Sequence, residues 1–141
     1  MATTANITLS STIMPNFGGY GKTMTLTEAG TTTDIKETTG YSRRKLSATT
    51  KVDLVTMANL LGGEDTTNLS HKIFIKNIGH NNIVDKATGV KVFINAVEIG
   101  VLYGNDWMLM PVIASDGEDI EVQPLTDDTV TLEWIMFYEG A

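Results

Sequence analysis

The sequence predicts an all-β protein: an antiparallel β-sandwich, jelly-roll or immunoglobulin-like, with an extended Thr/Gly-rich N-terminal segment ahead of it. Three observations carry that prediction. From Ser70 onward, apolar runs of strand length recur roughly every ten residues with Gly-, Asn- and Asp-containing turns between them, the cadence of a sandwich or barrel. The last run, Thr129–Glu139, alternates as a half-buried strand does: Val130, Leu132, Trp134, Met136 and Tyr138 share one face, and Thr129, Thr131 and Glu133 the other. Twelve threonines fall in the first forty positions, with few isolated apolar residues among them; a β-branched, core-poor segment favours extended chain over helix.

A chain of 141 residues suits one domain with a single core. Its parts are expected to be an N-terminal arm or set of peripheral strands, residues 1–50, and a sandwich body, residues 51–141. The arm is too poor in core residues to order except against something else, its own domain or a partner. The chain has no cysteine, which excludes disulfides and thiolate metal sites. Its first residues lack a basic region followed by a long apolar core, so no secretory signal is expected. The longest near-apolar run, Trp107–Ala114, is eight residues long and contains Pro111, too short for a membrane helix. A soluble product made and assembled inside a cell is the expectation.

The net charge of −7 is unevenly distributed. Six Lys/Arg stand against three acids through Lys51, and four Lys against fourteen acids from Val52 on. An acidic body repels phosphates and argues against nucleic-acid binding. A mildly basic leading segment suits docking on an acidic surface, including a neighbouring copy.

Taken in order, the elements are as follows. Short strands are expected at Lys22–Thr27 and Ser47–Leu54, with turns at Gly18–Gly21 and Ala29-Gly30. A helical turn capped by Asp53, with Leu54, Met57, Ala58 and Leu61 on one face and Gly62 as the stop, competes with continuation of the strand through Val52, Leu54 and Thr56. Gly62–Asn68 reads as a polar loop. Strands follow at Lys72–Ile78, Val90–Asn95, Val97–Tyr103, Trp107–Ala114, Asp119–Gln123 and Thr129–Glu139, with a short extension at Ile83-Val84 and turns at Gly79–Asn82, Asp85–Gly89, Gly104–Asp106, Asp116-Gly117 and Pro124–Asp128. Pro111 points to an edge strand or a bulge. In the last strand Ile135 and Phe137 make the second face apolar as well, as in a strand lying between two layers or meeting another subunit.

The search for chemistry finds no catalytic constellation. Gly18–Thr23 resembles part of a phosphate loop, but Asn16 stands where the first glycine is needed and no helix pattern follows. His71 and His80 lie about 30 Å apart on an extended strand, too far to share an ion. Asp116–Asp119 lacks the alternating ligands of a calcium loop and reads as a solvated acidic turn. There is no Gly-x-Ser-x-Gly elbow and no Cys nucleophile. No cofactor is expected, and the chain is not expected to be an enzyme. Trp107 and Trp134 are flanked by Met, Ile and Leu, so a core position is favoured for both over stacking on a sugar ring. The remaining candidates are surfaces. Arg43-Arg44-Lys45 forms a basic cluster, either a solvated strand edge or an electrostatic docking point, and Ile135 and Phe137 form a possible subunit contact.

Ile73–Asn77, Val92–Asn95, Ile99–Leu102, Gly104–Trp107 with Pro111 four residues on, and Thr131–Trp134 together resemble small β-sandwich virion proteins of tailed bacteriophages. The likeness covers Lys72 to Gly140 and rests on strand-turn cadence. It implies a virion structural protein, assembled in the host cytoplasm, of the capsid decoration or cement type that bridges major capsid subunits. It also implies a homo-oligomer, trimer or dimer, with no nucleic-acid or membrane partner. A tail, fibre or baseplate subunit is the alternative, and a small carbohydrate-binding sandwich using exposed aromatics is a third reading. Such families work through surfaces, so no functional residue carries over from the resemblance.

Overall fold

A computed structural model describes residues 4–9, 19–28, 30–35, 37–56, 71–80, 88–112 and 119–139. Its strands are β1 (Thr4–Leu9), β2 (Tyr20–Thr25), β3 (Glu37–Thr38), β4 (Ser42–Leu46), β5 (Val52–Val55), β6 (His71–Gly79), β7 (Val90–Ile94), β8 (Val97–Leu102), β9 (Trp107–Val112), β10 (Ile120–Pro124) and β11 (Val130–Tyr138). No helix occurs among the described residues. The protein is the expected antiparallel β-sandwich.

Its wiring follows a simple rule. Strands β4 to β11 pair as a nest, β4 with β11, β5 with β10, β6 with β9 and β7 with β8, always antiparallel. Two further pairings, β6 with β11 and β7 with β10, set these pairs side by side. The result is a four-stranded sheet, β5-β10-β7-β8, facing a larger one in which β3 and β4 flank one side of β11 and β6-β9 the other. A long antiparallel ribbon folded over into two facing sheets of this order is a jelly roll, which decides between the two sandwich types expected.

The core lies between the sheets and comes from alternate residues. On β6, His71, Ile73, Ile75, Asn77 and Gly79 are buried, and the residues between them are half-exposed. On β11, Val130, Leu132 and Met136 are fully buried and Trp134 packs against the core, as the alternation of that strand predicts. Tyr138 stacks on buried His71 with ring centroids 6.1 Å apart. Val90, Val92, Ile120 and Val122 close the cavity from the facing sheet. Burying each such side chain contributes about 1.5–3 kcal/mol.

Asn77 is the polar exception. It is fully buried, and its Nδ2 donates to the carbonyls of Thr88 (2.6 Å) and Leu102 (2.8 Å) while its Oδ1 accepts from the Gly79 N–H (2.8 Å). Its backbone bonds the β8–β9 turn, through Asp106 O and Asn105 N. One side chain thus ties β6 of the larger sheet to the end of β8 in the smaller one. With its donors and acceptor all satisfied, such a group rigidifies a core instead of weakening it.

Several expectations are corrected. The strand expected at Ser47–Leu54 is confined to β5, Val52–Val55, and residues 47–51 connect it to β4, Ser42–Leu46, which precedes the expected range. Ser-Arg-Arg-Lys-Leu offers only one apolar residue, so its pairing comes from β11 and not from its own pattern. The helical turn capped by Asp53 is not formed at its start, because Val52–Val55 is paired with β10; Met57, Ala58 and Leu61 lie outside the described residues. So do Gly62–Asn68, Ile83-Val84 and Asp116-Gly117. Lys22 and Thr23 of the phosphate-loop lookalike lie inside β2. Pro111 sits on β9, the edge of its sheet, as its missing N–H requires. Within residues 1–50, β1 and β2 form a separate two-stranded sheet, whereas β3 and β4 are strands of the larger sheet of the sandwich.

Candidate functional site

Register shows which side chains look outward from the larger sheet. Directly opposed residues of an antiparallel pair share a face. Phe74 opposes Ile135 on one side and Leu109 on the other, Lys72 opposes Phe137 and Pro111, and Lys76 opposes Glu133 and Trp107. None of these is core, because their neighbours Ile73, Ile75 and Met136 are fully buried on the other side. The outer face is therefore a platform of Phe74, Ile135, Phe137, Leu109 and Trp107, punctuated by Lys72 and Lys76. Tyr41, 57% exposed, and Trp107, 58% exposed, stand at opposite borders of it. Phe74 and Trp107 are in ring contact, centroids 6.3 Å apart. Ile135 and Phe137 are half-buried here, on the apolar second face read from the sequence.

The basic cluster is split by the strand's alternation. Arg43 faces outward and pairs with Glu133 at 2.7 Å. Arg44 opposes the buried Leu132 and its guanidinium donates to the Asp53 carbonyl of β5, so it joins the two sheets along one edge. Lys45 is exposed opposite Thr131. Arg43-Arg44-Lys45 is thus two outward cations and one structural clasp on β4.

Glu133 is the acid of the platform, and its neighbours determine its state. The Tyr41 hydroxyl donates to its carboxylate, Arg43 adds a charged hydrogen bond, and Lys76 adds a further positive charge; together these hold Glu133 below the usual glutamate value despite its partial desolvation. The same contact raises Tyr41, whose phenol would lose its bond to Glu133 and face a like charge on ionising.

At the Trp107 end, the β1–β2 hairpin lies over the platform. Ala5 and Ile7 of β1 face Phe74, Lys76, Trp107 and Leu109 across an open cleft of about 370 Å³. The hairpin is bonded strand to strand from Thr4↔Thr25 to Leu9↔Tyr20, and among the described residues it has no backbone pairing with the sheet beneath it. Trp107 corrects an expectation: it belongs to this surface, whereas Trp134 is partly buried and packs against the core. Parity along β9 carries the signal, since Met108, Met110 and Val112 turn inward and leave Trp107, Leu109 and Pro111 outside.

Among the described residues no group of three or more His, Cys, Asp or Glu is placed to hold a metal ion, and no helix is long and apolar enough to cross a membrane. His71 and His80 lie at the two ends of β6.

No protein-family model matches the chain, and no curated protein sequence matches it. Among solved structures, the Schizosaccharomyces pombe Cnp3 cupin domain aligns over 96% of this chain and 88% of its own, with 8% identity and a TM-score of 0.41. At that distance the likeness carries nothing about function.

Proposed function

We propose that this protein is a non-enzymatic structural subunit of a bacteriophage virion, a decoration or cement protein that stabilises the capsid by bridging major capsid subunits. The observation that carries the reading is the outer face of the larger sheet. It presents Phe74, Ile135 and Phe137 in register beside exposed Tyr41 and Trp107, a contiguous apolar platform of the kind that marks a protein contact. Its cations, Arg43, Lys45, Lys72 and Lys76, stand on a chain whose net charge is −7, which suits an acidic partner surface. Many weak contacts of this kind, repeated over a lattice, reach high avidity without a deep pocket.

The test is co-sedimentation with empty capsids built from the major capsid protein encoded nearest this chain's gene. The proposal predicts saturable binding and a raised capsid disruption temperature. Binding to tail or baseplate assemblies in place of capsids would move the protein to the alternative virion reading, and binding to neither would end both. Gene position separates the two virion readings at once, beside a capsid gene or among tail genes.

A further inference from the structure

We infer that the cleft under the β1–β2 hairpin is the anchor point of that contact, and that it receives a bulky apolar side chain of the partner with a carboxylate beside it. The inference rests on the protein-contact reading above and specifies its chemistry. The walls are mainly apolar: Ala5 and Ile7 above, with Asn6 between them as the neutral polar residue, and Phe74, Leu109 and the exposed indole of Trp107 below and at the side. A space of about 370 Å³ is large enough for an aromatic or branched aliphatic side chain, the type of residue that anchors protein interfaces from a pocket.

The lining holds one charge, Lys76. Its cross-strand neighbour Glu133 is already engaged by Arg43 at 2.7 Å and by Tyr41. Lys76 lies near enough to Glu133 to favour its charged form, but it makes no direct salt bridge with any described residue. The two lysines of the opposite face, by contrast, each hold a glutamate within 3.0 Å. A partner carboxylate is therefore the group that completes the cleft electrostatically, and excluding water from it strengthens that contact.

The mode is insertion of a side chain and not addition of a strand. Pro111, on the edge strand β9 beside the cleft, leaves a ladder without a donor where an added strand would need one.

Three capped tripeptides test the chemistry on the full chain: acetyl-Glu-Phe-Glu-amide, its neutral counterpart acetyl-Gln-Phe-Gln-amide, and acetyl-Glu-Ala-Glu-amide. The readout is the indole N–H resonance of Trp107, with that of core-packed Trp134 as internal control. The first peptide is expected to shift Trp107 saturably and leave Trp134 in place, and each of the others to bind about tenfold more weakly, one factor of ten per 1.4 kcal/mol. Lys76→Gln should erase the difference between the charged and neutral phenylalanine peptides while leaving the fold intact, since Lys76 is half-exposed. Equal response to all three peptides, or none at millimolar concentration, overturns the inference. Capsid co-sedimentation keeps the two readings apart. Peptide binding without capsid binding leaves the cleft chemistry standing and removes the virion reading. Capsid binding unchanged in both Lys76→Gln and Trp107→Ala removes the anchor and leaves the virion reading.

Discussion

The two outer faces of the sandwich are built from the same alternation and end in opposite states. On the four-stranded sheet the charges are paired within the face: Lys51 with Glu121 at 3.0 Å and Lys91 with Glu98 at 2.9 Å. The Lys51 ammonium also sits 5.0 Å from the centre of the Phe93 ring, capping that face's aromatic residue, and Gln123 donates to the Thr49 carbonyl. Paired charges suit water, although each exposed pair adds little stability, and on β8 of the same sheet Val97 and Ile99 are exposed. On the larger sheet the aromatic and aliphatic residues Phe74, Leu109, Ile135 and Phe137 are grouped, with the Arg43–Glu133 ion pair at 2.7 Å beside them. Sheet geometry is shared by the two faces, so the grouping of apolar residues on the larger one comes from the sequence of its strands and not from the fold.

The most damaging way to disturb this comparison is to cut the link between the sheets. Asn77→Leu leaves the Thr88 and Leu102 carbonyls and the Gly79 N–H without their side-chain partner. It should cost about 3 kcal/mol, within the range for unsatisfied buried groups and broken networks, read as a lower midpoint in urea. Next comes a charge on the platform: Phe137→Asp should weaken capsid binding and self-association by about tenfold or more, with a change in monomer stability of about 1 kcal/mol because the residue points away from the core. The matching change on the finished face, Glu121→Gln, should leave binding unaltered. Unfolding of the Phe137→Asp monomer would show instead that both faces of β11 serve the chain's own fold.

A smaller effect of opposite sign is expected at the β7–β8 hairpin. Asn95 and Ala96 form its two-residue turn with φ of 48° and 63°, the left-handed pair that such turns require. Alanine pays for this conformation in a way glycine does not, so Ala96→Gly should stabilise the protein by about 0.5–1 kcal/mol, measured by thermal unfolding. The smallest effect concerns pH. Glu133 titrates below its ordinary 4.5 in the folded state, so its contribution is fully present above that value and is lost as pH falls through the depressed one. Glu133→Gln should therefore flatten the acid limb of the thermal-midpoint curve below the ordinary glutamate value, without changing its level of pH dependence above neutrality.

Much of the scaffold was legible in the sequence because two periodic signals agreed. For β6 to β11 the alternation and the turn residues place each strand to within a residue or two of its observed limits. They also put Val130, Leu132 and Met136 inside and Ile135 and Phe137 outside. The orientations within the basic segment were not legible because Arg43, Arg44 and Lys45 are all polar, so no alternation reveals that Arg44 alone turns inward; the pairing Arg44↔Leu132 fixes the parity. Trp107 was misplaced for a different reason, as its flanking methionines suggested a core while the period-2 rule, applied to Met108, Met110 and Val112, puts the indole outside. Asn77 gave no sign of its role. Its partners are carbonyls of Thr88 and Leu102, and neither proximity is encoded locally. The cleft depends on how a hairpin without backbone pairing lies on a sheet, which no strand pattern records.

The nested wiring also sets an order of events during synthesis. β11 runs between β4 and β6, pairing Val130 with Leu46 and Met136 with Ile73, so the larger sheet lacks its middle strand until almost the whole chain has left the ribosome. Pairings so distant in sequence close slowly, and a partly made chain exposes unpaired edges in the meantime. The outward apolar residues Ile135 and Phe137 belong to that last strand. A chain that stops before β11 therefore has neither a closed sandwich nor the outward pair Ile135 and Phe137.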